Sequence, residues 1–186
     1  MIENNLTGYI NYFRQLAVMH KDIQHDVKSE TGGGAVGSKK FTSYSIEEVV
    51  QGLRTTVGFP CLAIELYDIE TEAESFSNIT LRPAGAFMVL CHPENDSFAA
   101  QENCYTKAEQ IVYDILKKMY NDLHGSDADA CDTPFNEIEF HKIAITPVGP
   151  VFGGEYGYRV TYNFEFNKTI DLTEPPEEGT FIPIIE

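Results

Sequence analysis

The 186-residue chain predicts an α+β domain: a mainly antiparallel five-stranded sheet with two main helices packed on one face. Three features lead there. Two long segments, one N-terminal and one central, repeat apolar residues every three or four positions. Short apolar or alternating segments lie between and after them. Turn residues, not crossover helices, separate most of these short segments, so neighbouring strands should pair antiparallel.

Residues 3–27 open the chain as the first helix. Leu6, Ile10, Phe13, Ala17 and His20 fall at spacings of three and four, and Leu16, Ile23 and Val27 widen the stripe. The glycines after residue 31 end it. In SIEEVVQGL, Ser45 followed by Glu48 is a capping-box signature, so a short helix starts there and stops by Gly52 or Gly58. FPCLAIELY, 59–67, is nearly continuous apolar and reads as a strand covered on both faces, with Glu65 as the exception. The acidic DIETEAE is expected to turn. SNITLR, 77–82, is a shorter strand broken by Pro83 and Gly85. AFMVLCH, 86–92, is the next, stopped by Pro93 and Asn95-Asp96.

The central helix covers AAQENCYTKAEQIVYDILKKMYNDLHG. Ala108, Ile111, Ile115 and Met119 line its buried face, joined by Val112, Leu116 and Leu123. Lys117 and Lys118 suit the negative C-terminal end, and Gly125 suits a stop. SDADACDTP is then an acidic surface loop. Residues 135–147 form a strand whose apolar parity changes between Phe140 and Ile143, which predicts a bulge near His141. PVGPVFGG should turn the chain. In YGYRVTYNFEF the residues Tyr156 to Phe166 alternate aromatic or apolar with polar, as a closing strand packed on the helices. One domain therefore spans 1–170, with a flexible Gly-rich loop at 31–40. The acidic, Pro-rich tail 171–186 is extended, and its FIPII end is suited to docking.

Composition limits the partners. Formal charge is −16, from 29 acidic against 13 basic side chains. Such a surface repels nucleic-acid phosphates, and no basic patch is found beyond Lys39-Lys40, so no specific nucleic-acid binding is expected. A wall that DNA slides past without sticking is compatible with this charge. The N-terminus lacks a basic, then apolar, secretory pattern, and no stretch is long and apolar enough to span a bilayer. The chain is expected in a reducing cytoplasm. Cys61, Cys91, Cys104 and Cys131 have no C-x-x-C spacing, and Cys61 and Cys91 read as small core residues.

No chemical motif survives inspection. TGGGAVGSKKF places Gly32 and Gly37 at phosphate-loop spacing, but Ser38 stands where Lys belongs, and Lys40 replaces the Mg²⁺-binding hydroxyl. The residues before it are polar, not a strand. His20 and His25 are five apart, a poor spacing for two ligands on one helical face. Cys91 and His92 adjoin in a strand and point apart. There is no G-x-S-x-G elbow. Glu137 and Glu139 share a strand face, as a solvated edge would. Glu65 is the most notable acid, at a sheet margin or a subunit contact. Catalytic, cofactor-binding and metal-binding residues are therefore all expected to be none. The rival reading is a small hydrolase or ligand-binding enzyme, and it needs Glu65, His92 or His141 to converge in a concave site.

A long helix, a short helix leading to FPCLAIELYDIE, a meander, AEQIVYDILKKMYNDL and two closing strands ending in YGYRVTYNFEF follow one another in the order of a known family. Over most of residues 3–167 the chain resembles the tail terminator, or tail completion, proteins of long-tailed bacteriophages. The resemblance implies an α+β subunit that assembles as a ring, usually a hexamer, within the virion. The ring caps the tail tube, stops its polymerisation and faces the neck. It also implies no catalytic residues and no cofactor. The insertion at 31–40 and the acidic end after 170 depart from the family pattern. A neck or head–tail connector component is the neighbouring alternative.

Overall fold

The computed structural model describes residues 5–44, 57–73, 78–125, 133–151, 153–165 and 169–171. Helix α1 spans Leu6–Met19 and helix α2 spans Phe98–His124. The strands are β1 (Phe41–Tyr44), β2 (Cys61–Glu65), β3 (Asp68–Ala73), β4 (Asn78–Cys91), β5 (Glu137–Ile138), β6 (Ala144–Val151), β7 (Glu155–Glu165) and β8 (Thr169–Asp171). The fold is α+β, as expected. Its sheet is mixed, not purely antiparallel, and larger than five strands: seven strands share it, and the two-residue β5 pairs onto the end of β7. The parallel element is β1, which pairs with β2 from Phe41↔Leu62 to Tyr44↔Glu65. Phe41, Thr42 and Tyr44 are types that favour strands, but four residues are too few to show a period. The short helix expected from Ser45, Cys131, and the tail after residue 171 lie outside the described residues.

Helix α1 stops eight residues before the expected end at Val27. His20 leaves helical geometry with ψ 124°, its Nδ1 accepts the Asp22 N–H at 3.2 Å, and Gln24 adopts φ 53°. Ile23 is fully buried from the turn that follows, so it continued the apolar stripe without continuing the helix. Asn5 caps the N-terminus by accepting the Gly8 N–H, and Ser97 caps α2 by accepting the Ala100 N–H.

The two strands expected on either side of Pro83 and Gly85 are one strand, β4. The ladder between β4 and β7 begins at Ala84↔Asn163, so Pro83 falls just outside it and its missing N–H costs that ladder nothing. Gly85 is there for packing: a Cβ would sit 3.0 Å from Tyr9 Oη and from ring carbons of Tyr162 and Phe164. The acidic stretch 68–73 is a strand, not a turn. From Ile64 to Asp68 the chain advances four residues while β4 advances three, from Phe87 to Ala84. β2 and β3 are thus one strand with a bulge at Leu66-Tyr67, and the bulge hid the continuation. β8 likewise extends β7 along the other edge of β4, through Asn78↔Asp171.

The closing hairpin also differs in detail. A one-turn 3₁₀ helix, Phe140–Lys142, takes the place of the bulge expected near His141. PVGPV does not turn; it runs on as β6, with irregular register between Val148 and Val151, and the chain reverses at Gly153-Gly154.

Across the sheet the order is β1–β2–β4–β7, with β6 on the outer edge of β7. Helix α1 lies over β1 and β2, and α2 over β4 and β7, on the same face. The side chains of α1 and α2 meet at Tyr12 Oη–Asp122 Oδ2 (2.9 Å) and His20 Nε2–Asp114 Oδ2 (3.7 Å), so the helices run antiparallel. Their core is aromatic. Tyr9 stacks on Phe164 with centroids 5.5 Å apart, and Phe13 meets Phe87 at 5.6 Å. Val160, Tyr162 and Phe164 of β7 face this core, as their alternation requires. The opposite face buries a smaller cluster of Cys61, Ala63, Met88 and Leu90, so β2 is covered on both sides as its composition predicts.

Candidate assembly surface

Glu65 is 8% exposed and its carboxylate is gripped by Arg159: Nε–Oε1 is 2.5 Å and Nη2–Oε2 is 2.7 Å. This two-point geometry is the strong form of an ion pair. The pair closes a hollow of about 180 Å³ at the β2–β3 bulge, which Asp68, Lys142 and Asn163 also line. Beside it, Lys142 and Asn163 donate to Glu139, at 2.7 Å and 3.2 Å, and hold its carboxyl below the usual range.

His92 lines a different hollow, of about 220 Å³, with Phe59, Cys91, Glu94, Cys104 and Lys107. Its ring stacks on Phe59 at 5.9 Å and its Nδ1 lies 3.4 Å from Glu155 Oε1. His141 is exposed on the 3₁₀ turn. Glu65 and His92 therefore do not meet. Cys61, Cys91 and Cys104 are free and buried. Burial, reinforced by Cys104, pushes the Cys91 thiol up to about 12, and burial raises Cys61 and Cys104 too, so all three are poor nucleophiles at neutral pH. Among the described residues no group of three or more His, Cys, Asp or Glu side chains is placed to hold a metal ion. Nor, among them, is any helix long and apolar enough to cross a membrane.

The Gly-rich segment has a defined base. A 3₁₀ helix, Val27–Thr31, is capped by Asp26, ends at left-handed Gly32 and is followed by a turn that leads into β1. A phosphate loop would instead leave a strand and open a helix. The Asp26 N–H donates to Ser38 O, and the Gly58 N–H to Lys39 O. Beneath it, the fully buried His25 side chain accepts the Lys40 N–H at Nδ1 (3.1 Å), while its Nε2 lies 2.8 Å from Glu30. Burial alone would raise the Glu30 carboxyl; hydrogen bonds from His25 and Arg14 outweigh it and lower it. Arg14 in turn lies over the Phe41 ring of β1, 5.5 Å from its centroid.

The sheet order separates two unlike flanks. On the β1 side, Val18 stands one helical turn from Arg14, and Val27 and Val36 project from the loop at 50% and 107% exposure. On the β6 side, Tyr113 and Tyr120 of α2 lie off the buried stripe of that helix and are 41% and 51% exposed. Tyr120 packs with His124 and Phe140 in one surface aromatic cluster. Both faces of β6 are mainly exposed, including Ile145. Single exposed apolar residues are ordinary, but aromatic clusters beside an edge strand are favoured contact sites.

Two of these features were within reach of the sequence. Arg159 is the lone base in the closing strand, as Glu65 is the lone acid in β2, so each was a candidate partner for the other. Tyr113 and Tyr120 are seven apart, two turns along the polar side of an amphipathic helix. Comparison with protein-family models, with curated proteins and with solved structures gives no match.

Proposed function

We propose that this protein is a structural subunit that works by assembling with copies of itself, and that it forms the ring which caps a phage tail tube and ends its polymerisation. The observation that carries this reading is the pair of unlike flanks at opposite edges of one sheet, each with large exposed apolar side chains. A closed ring needs just that, because every subunit presents one surface to the next and a different one to the last. The element order of helix, strands, helix and closing hairpin supports the phage assignment, as does a formal charge of −16, which keeps DNA from adhering to a lumen wall. The hexamer, the location in the virion and the contacts with tube and neck proteins belong to the same proposal.

The test is a polymerisation assay. Tube subunits of the cognate phage are allowed to grow with and without this protein, and the products are measured by electron microscopy. Short tubes with a ring at one end support the reading. Tubes of unchanged length with bare ends refute it. A ring that attaches to isolated portal or neck complexes and leaves tube growth unaffected would make it a connector component.

A further inference from the structure

The two flanks also differ in charge, and this difference identifies the partner surface. Residues 14–40 carry Arg14, Lys21, Lys28, Lys39 and Lys40 against Asp22, Asp26 and Glu30, so this stretch is net positive within a strongly acidic chain. Two of its acids are engaged within it: Asp26 accepts the Lys28 N–H, and Glu30 holds Arg14 and His25. On the opposite flank, Glu102 and Glu109 lie on the Tyr113 side of α2, and Tyr113 Oη donates to Glu109 at 2.8 Å. Glu137 and Glu139 border the Phe140 turn. Against these four acids stand Lys117 and Lys142, and Lys142 is already paired with Glu139.

We infer that the flanks are the two halves of one contact between copies: the Lys39-Lys40 loop with Val36 at its tip seats against the tyrosine face of α2 in the next copy. This rests on the ring reading and gives it residues. Val36 meets the Tyr113–Tyr120 face, and the lysines meet the acidic rim of Glu109 and Glu137. The pairing is self-excluding: loop against loop sets lysines together, and tyrosine face against tyrosine face sets carboxylates together, so like flanks repel. A backbone-mediated join at β6 is the weaker alternative. Its sequence AITPVGPV carries two prolines, and the missing N–H groups blunt an exposed edge.

The experiment uses the full chain and two variants. One carries Tyr113→Glu and Tyr120→Glu; the other carries Val36→Glu, Lys39→Glu and Lys40→Glu. Val36, Tyr113 and Tyr120 are exposed and Lys39 and Lys40 are half-buried, so matching thermal melts check that both variants are folded. Native mass spectrometry and light scattering read the assembly. The contact predicts a wild-type ring, two variants that are each monomeric, with association weakened at least about tenfold, and 1:1 pairs when the variants are mixed, because one intact joint then remains. A wild-type ring that either variant still forms alone, or a mixture that stays monomeric, overturns this contact and leaves the ring reading standing. A wild-type chain that is itself monomeric removes both.

Discussion

Arg159→Met removes the ion pair with Glu65 on the second face of the sheet. The substitution keeps much of the side-chain stem and removes both hydrogen bonds to Glu65, a residue only 8% exposed in the intact protein. Stranding one partner of a buried pair costs about 3–5 kcal/mol. The Arg159 side chain is 37% exposed, so water can reach the vacated site, and a loss of about 2–3 kcal/mol is expected. For a chain of this size that is a fall in Tm of about 5–10 °C. Urea titration followed by circular dichroism gives the free energy, and a thermal melt gives the Tm. The double variant Glu65→Met, Arg159→Met removes both charges and should recover most of the loss, since apolar replacement of a buried pair is often neutral. A Tm within about 1 °C of wild type for Arg159→Met would refute the reasoning. So would a double variant whose loss equals the sum of the two single losses.

Gly157→Ala would place a Cβ 1.9 Å from Val89 O across the central ladder; a loss of about 3 kcal/mol or more, or failure to accumulate as soluble protein, is expected, and an unchanged urea midpoint would contradict the register of β7 against β4. Tyr9→Phe breaks the buried 2.9 Å bond between the Tyr9 and Tyr162 hydroxyls and should cost about 1–2 kcal/mol, much of it regained on adding Tyr162→Phe, as read by the same titration. Burial raises both phenols above their ordinary pKa. The folded chain therefore keeps these protons when the unfolded chain, with phenols near 10, has begun to lose them. Stability from this pair is full below pH about 10 and declines above it, and Tm measured from pH 8 upward should fall less steeply in the double Phe variant. Cys61 and Cys91 should resist iodoacetamide in the native state at pH 7.5 and label in urea, with peptide mapping as the readout; rapid native labelling would contradict their burial.

The sequence revealed what repeats and concealed what depends on distant neighbours. Both main helices were legible because Phe13, Ala17, Ala108, Ile111 and Met119 recur at helical spacing and are all buried. The closing strand was legible from the alternation of Val160, Tyr162 and Phe164. Pro83 and Gly85 misled for a specific reason. Each breaks a strand judged locally, but one falls beside the end of a ladder and the other makes room for three aromatic rings contributed by α1 and β7. The bulge at Leu66-Tyr67 misled likewise: a one-residue offset in pairing has no local signature, so an acidic strand read as a turn. Strand β1 depends on β2 for its pairing, and its four residues carry no pattern of their own. For the proposed assembly surface, the exposed tyrosines were visible as residues. Their position opposite the lysine loop follows only from the strand order.

A closed ring requires self-association through two different flanks, and the mass of the wild-type particle in solution reads that out. Native mass spectrometry of the purified 20.9 kDa chain should give one closed species, at about 125 kDa for six copies, with no ladder of open intermediates at micromolar concentration. A single peak at the mass of one chain, unchanged as concentration rises, would contradict it.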